Sequence, residues 1–245
     1  MQRYIHVVIS ACLIAIGTGC ASTPYDPFVK SRSEVFSAVQ IVSMQPVSLA
    51  DFDRKDEVAA RYEALITERL QAAGFTVIPS NEFSAIWDPM LRQLGGVFDP
   101  ITGEADEEKL KAVRTHTTNE LIAKFEIDGF VTPRIDVTEA SWYSNTATWD
   151  GVKEASSGKG GLLASLLMTN ANYQGSIPAL SLILPIHNTS GEAYYVGRGG
   201  IQLFAHFNLG SFTDVPESMW FVEPERDVNA VNVALAPLLN DMETQ

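Results

Sequence analysis

Residues 54–79, RKDEVAARYEALITERLQAAGFTVIP, decide the fold. Val58, Tyr62, Leu65, Ile66, Leu70 and Ala73 recur at spacings of three and four, which lays one apolar stripe along a helix. Asp53 and Gly74 stand where an N-cap and a C-cap belong. Phe75-Thr76-Val77-Ile78 reads as a strand closed by Pro79. Residues 37–44, rich in β-branched side chains and stopped by Pro46, read as a strand ahead of the helix. Strand, helix and strand in this order predict a parallel pair joined by a right-handed crossover.

Further along, Ser80 is placed as the cap of a helix carrying Phe83, Ile86, Trp87, Met90, Leu91 and Leu94, its regularity limited by Pro89. A turn-rich stretch at 95–103 leads to a second helix from near Asp106. Glu107 and Glu108 lie in its first turn, and Leu110, Val113, Thr117, Leu121 and Phe125 lie on one side. Residues 127–137 read as a strand that Pro133 confines to an edge or a bulge. Residues 180–186 and 193–207 flank Asn188-Thr189-Ser190-Gly191 as a hairpin, in which Ile201, Leu203, Ala205 and Phe207 alternate with Gln202, Phe204 and His206. A turn centred near Ser190 sets His187 opposite Ala193. A last helix from near Arg226 presents Val228, Val231, Leu235 and Leu238, with Pro237 kinking or ending it. The expected fold is α/β: a mixed β-sheet with helices packed against it, opening on a β-α-β unit, as a single domain over residues 37–245.

Composition narrows the function. The 245 residues are 46% hydrophobic and 19% charged, which suits a globular core, and the apolar residues fall in short segments rather than several membrane-length spans. The net charge of −13 leaves nothing to neutralise phosphates, so nucleic acid is excluded as a partner.

The chain opens with Arg3 and His6 ahead of an apolar run at 7–16, then Gly17-Thr18-Gly19-Cys20. A run of about ten apolar residues is too short to span a bilayer and has the length of a signal-peptide core. Residues 1–19 are therefore read as a signal peptide. Small residues just before Cys20 resemble the lipobox of bacterial lipoproteins, with Gly17 where that motif prefers leucine. By that resemblance Cys20 is the lipidated residue, and residues 20–36 are a flexible tether containing Pro24 and Pro27. The competing reading is an ordinary secretory leader cut after Ala21. With Cys12 inside the leader, Cys20 has no cysteine left to pair with, so no intramolecular disulfide forms. By the same resemblance to bacterial lipoproteins, Ala21 in place of a retention aspartate implies the periplasmic face of the outer membrane as the destination.

Motifs for chemistry are sparse. Ser156-Ser157-Gly158-Lys159-Gly160-Gly161 lacks the spacing of a phosphate loop, and Gly197-Arg198-Gly199-Gly200 does not sit between strand and helix as a dinucleotide fingerprint requires. The histidines, 6, 116, 187 and 206, show no zinc spacing. Asp99, Thr102, Glu104 and Asp106 lack the calcium-loop ladder and read as a turn with a helix cap. No serine-hydrolase elbow occurs. No cofactor, metal or catalytic set is nominated. Trp142, Tyr143 and Trp149 stand out, because a turn at Asn145-Thr146 would set Trp142 opposite Trp149. That pair reads either as a packed brace for a hairpin or as a platform for a sugar or a protein. Residues 162–168 read as core, or as a short apolar segment that docks on lipid or a partner.

Gly19-Cys20, the run Ala72-Ala73-Gly74-Phe75-Thr76-Val77-Ile78, Asp128-Gly129-Phe130-Val131 and a late hairpin with Gly191 at its turn together resemble a small periplasmic lipoprotein domain. It is the domain of curli-secretion-channel lipoproteins and of outer-membrane activators of penicillin-binding proteins. The resemblance implies an α/β sandwich without catalytic residues. The expected function is a lipid-anchored, non-catalytic periplasmic protein that binds or recruits another envelope component, with a homo-oligomer as a further possibility for its partner. The alternatives are a glycan-binding or glycan-active protein using the Trp142–Trp149 platform, and a subunit of an outer-membrane export apparatus.

Overall fold

Strands β1 (Ile41–Met44) and β2 (Thr76–Ile78) run parallel, Val42 opposite Val77, with helix α2 (Lys55–Ala72) between them in the chain. The computed structural model describes residues 25–49, 55–99, 101–156, 174–208 and 211–239. The α2 stripe is buried at Val58, Tyr62, Ile66, Leu70 and Ala73, and Leu65 is half-buried. Each such side chain contributes about 1.5–3 kcal/mol when withdrawn from water. Gly74 ends the helix at φ +92°; its N–H donates to Gln71 O and that of Phe75 to Leu70 O, the pairing of a Schellman cap, which a residue bearing Cβ adopts only with strain.

Strand β3 (Gly129–Val131) lies on the other side of β1, also parallel. Beyond Pro133 the chain continues as β4 (Arg134–Tyr143), and β3 and β4 lie end to end along one edge of β7 (Gln174–Asn188). Val131 faces Ile186 and Arg134 faces Ile183, so the register carries across the proline unchanged. Pro133 thus marks neither a free edge nor a slip: it divides one long strand, β1 flanking the first part and β5 (Thr146–Trp149) the second, with β6 (Val152–Ala155) outside β5. Strand β8 (Ala193–Leu203) takes the opposite edge of β7, with His187 facing Ala193 as the turn position predicts. The result is a curled mixed sheet of eight strands. The strand expected to run through Phe207 stops at Leu203; Ala205–Asn208 (β9) pairs instead with Ser211–Asp214 (β10).

Helices cover both faces. Helix α2 and helix α5 (Pro224–Leu239) bury Met44, Ile135, Leu182, Leu184 and Tyr195 on one face; α3 (Ser80–Gln93) and α4 (Glu107–Phe125) bury Phe83, Leu121, Ile127 and Phe130 on the other. The curl brings β6 round to β8, where Gly200 N–H donates to Asp150 O at 2.9 Å and Phe207 N–H to Ser156 O at 2.8 Å. It encloses a second apolar core of Ala140, Trp142, Ala147, Trp149, Ile177, Ala179, Leu203, Ala205 and Phe207.

Several local expectations are corrected. Residues 37 and 38 end a helix, α1 (Arg32–Ala38), because Ser31 and Glu34 form a capping box that nucleates it and Val35 buries its inner side. The tether read over 20–36 is therefore packed from Tyr25 onward: Val196 N–H donates to Pro27 O at 2.8 Å, Phe28 meets Tyr195 edge-on at 5.2 Å, and Val29 and Lys30 donate to Tyr194 O. Ser80 is the first helical residue rather than a cap, and its hydroxyl donates to Glu63 at 2.5 Å. Val228 is exposed; the buried face of α5 runs through Asp227, Ala230, Val231, Ala234, Leu235 and Leu238. Arg32 donates to the Pro237 and Leu238 carbonyls at the C-terminal end of α5, where a cation offsets the helix dipole.

Candidate functional site

Side chains Phe130 and His187 face each other across β3 and β7, and their rings stack at 5.6 Å with 29° between planes. Phe83 meets Phe130 edge-on at 6.3 Å and stacks on Trp87 at 5.3 Å, so four rings run in a row from α3 across the sheet. The row floors a groove of about 990 Å³ between α3, α4, the end of β1 and the β7–β8 turn. Phe83 and Phe130 are buried, whereas Trp87 and His187 are half-buried. The walls carry Gln45, Ser48, Thr115, Thr118, Asn119, Thr132, Asn188 and Ser190, all neutral hydrogen-bonding side chains, together with Pro46 and Leu110, and Asp88 and Arg114 are the two charged residues among them.

Each position has a local cause. Thr132 follows β3 just before the proline break, and its hydroxyl shares a 2.8 Å hydrogen bond with His187 Nε2, while Nδ1 lies 3.2 Å from Asn188 O. Burial lowers the His187 pKa, opposed by the Asn188 carbonyl, which keeps the ring neutral at neutral pH. The Asn188 side-chain oxygen accepts from Ser190 N–H at 3.0 Å and Glu192 N–H at 2.9 Å, fixing the turn that forms one rim. Thr117 lies on the buried face of α4 at 1% exposure and lines the groove, and its hydroxyl has no hydrogen-bond partner among the described residues.

The residues singled out in sequence lie elsewhere. Cys20, the leader, the Gly158–Lys159 loop and the 162–168 segment fall outside the described residues. The hairpin turn sits at Ser144-Asn145, two residues of register from the expected one, with Ser144 at φ +56°. Trp142 consequently faces Ala147 instead of Trp149. Both tryptophans are buried, at 6% and 7% exposure: Trp142 packs on Phe207 at 4.6 Å, and Trp149 Nε1 donates to Leu180 O at 3.2 Å. They brace the curled end of the sheet and present no open platform, leaving Tyr143 exposed beside them. Gly197 and Gly199 prove structural, since a Cβ there would strike the backbone carbonyls of Ala234 and Ala230 on α5. Arg198 between them pairs with Asp150 at 2.9 Å, which also accepts from the Ser181 hydroxyl at 2.6 Å. Asp99 accepts from the Ile101 and Thr102 N–H groups, an ordinary turn. No group of three histidine, cysteine or acidic side chains that could hold a metal occurs among the described residues.

The sequence places Phe83 and Trp87 on a helix stripe and His187 beside a hairpin turn opposite Ala193, with no reason to join them. The usable signal was the hairpin turn 188–191, but pairing it with Phe130 needs the long-range β3–β7 register.

No family model and no curated protein matches the chain. Among solved structures it is similar to a lipoprotein of Neisseria meningitidis, at 12% identity and a TM-score of 0.33, over 84% of this chain and 99% of that one. No helix among the described residues is long and apolar enough to cross a membrane.

Proposed function

We propose that this chain is a lipid-anchored envelope protein that works by binding another envelope component, non-catalytically, with the α3–α4 groove as its contact surface. The observation that carries the reading is the groove's lining: aromatic rings beneath neutral amides and hydroxyls supply contact area and hydrogen bonds. Its histidine is held by Thr132 and a backbone carbonyl, which suits orientation of a ligand. The anchoring half rests on Gly19-Cys20 behind the apolar run, and placement at the periplasmic face of the outer membrane rests on Ala21. The layout likeness to curli-secretion-channel and penicillin-binding-protein-activator lipoproteins belongs to the same reading.

Radiolabelled palmitate fed to expressing cells tests the anchor: label enters the wild type and is lost in Cys20→Ala. Persistent label in that variant removes the anchor. A photo-crosslinker at Asn119, on the groove rim, tests the surface. Expected is one reproducible envelope adduct; adducts only between copies of this chain point to a homo-oligomer instead.

A further inference from the structure

Resting on the groove as the binding surface, we infer that its ligand is a neutral oligosaccharide whose sugar face stacks on Trp87 and whose hydroxyls are met by Thr117, Asn119 and Asn188. The lining discriminates among ligand classes. An extended peptide that adds itself to a sheet needs a free strand edge, and none is offered here: β3 is paired on both sides, by β1 and β7, and β7 by β3 and β8. A helical peptide needs a stripe of apolar pockets, yet Phe83 and Phe130 are already buried, and the remaining apolar side chains, Trp87, Pro46 and Leu110, are interspersed with hydroxyls and amides. A phosphorylated or anionic ligand needs an excess of cations; Arg114 is matched by Asp88, and the whole chain carries −13.

A sugar ring fits what remains. It has an apolar face for a half-buried indole and a rim of hydroxyls, each able to donate and accept. The Thr117 hydroxyl supplies an independent sign of a ligand. It is buried at 1% exposure against the groove with no partner among the described residues, an arrangement that leaves its desolvation uncompensated. Its oxygen is covered in this structure, so a ligand hydroxyl satisfies it by displacing the side chains that close over it. His187, held neutral by burial, orients Thr132 without adding charge.

The test titrates the full-length protein in detergent with chitotetraose and cellotetraose by calorimetry. Binding is expected for at least one of them. Trp87→Ala should weaken it about tenfold, the scale of one lost stacking contact. Thr117→Val should weaken it several-fold while leaving the unfolding midpoint unchanged or raised, whereas a hydroxyl with only a structural role would lower the midpoint and leave binding alone. Tyr143→Ala, on the distant hairpin, should bind as the wild type does. Should Trp87→Ala fail to fold, Thr117→Val carries the test by itself. No heat with either sugar, or wild-type affinity in both groove variants, overturns the assignment. A protein adduct at Asn119 without sugar binding overturns the saccharide while leaving the envelope-binding reading intact, and palmitate label that persists in Cys20→Ala overturns the anchor alone.

Discussion

The Tyr62 hydroxyl donates to the carboxylate of Asp227 at 2.7 Å, joining the middle of α2 to the first turn of α5 inside the core. Asp227 is fully buried and also receives Arg61 Nε at 2.7 Å, while Arg61 reaches on to the Phe221 carbonyl. Burial raises the Asp227 pKa even against the opposing pull of Tyr62 and Arg61. The ion pair therefore offsets a desolvation cost more than it adds stability.

From this follows an asymmetry between the two partners. Arg61→Ala leaves a carboxylate buried without its cation and should cost about 3–5 kcal/mol at neutral pH. Asp227→Asn keeps an acceptor for Tyr62 and leaves an arginine that already reaches solvent, so it should cost less. The raised pKa gives the sign with pH: the folded state takes up the Asp227 proton before the unfolded chain does, so the Arg61→Ala deficit shrinks as pH falls toward about 5. Urea unfolding at the two pH values measures this; a deficit that grows on acidification contradicts it.

Gly199→Ala should lower stability by about 1–3 kcal/mol, because the new methyl meets the Ala230 carbonyl and must push α5 off β8. Gly191→Ala introduces no collision and suffers only from φ +88°, so its loss should be smaller, about 1 kcal/mol. Denaturant midpoints at unchanged m-value provide the comparison.

Trp149→Ala should cost about 3–5 kcal/mol by emptying the curled end of the sheet, while Tyr143→Ala stays within about 0.5 kcal/mol. Thermal unfolding separates them. Equal, small effects would mean that Trp149 is not packed as described.

His187 resists protonation when folded, since burial lowers its pKa, so its contribution is present above the unfolded value of about 6.5 and is lost as pH falls below it. In His187→Gln the slope of stability against pH between about 5 and 7 should flatten. An NMR titration should show the His187 ring changing charge below the ordinary imidazole value of about 6.5.

Much of this architecture was readable from local pattern. The 54–79 run specifies its helix, glycine cap and second strand because periodicity and capping act over a few residues. The His187–Ala193 pairing was readable because a four-residue turn sets its own register. The Trp142–Trp149 pairing failed for a related reason: Ser144 adopts the left-handed conformation usually taken by Gly or Asn, so the turn forms earlier than the sequence suggests. Arg32–Ala38 was missed because a capping box outweighs the β-branched residues that follow it. The groove stayed hidden because its four rings come from three segments joined only by the sheet.

The docking of the N-terminal segment against β8 sets how the domain would sit above a membrane. Because Tyr25 donates to the Val196 carbonyl, an acyl chain on Cys20, as proposed, would be separated from the folded body by only the residues from Cys20 to Tyr25, a leash of at most about 18 Å of backbone. Anchored so, the molecule would ride low over the lipid and sweep a narrow layer, meeting what lies within reach of the bilayer surface and little that lies deeper in the compartment.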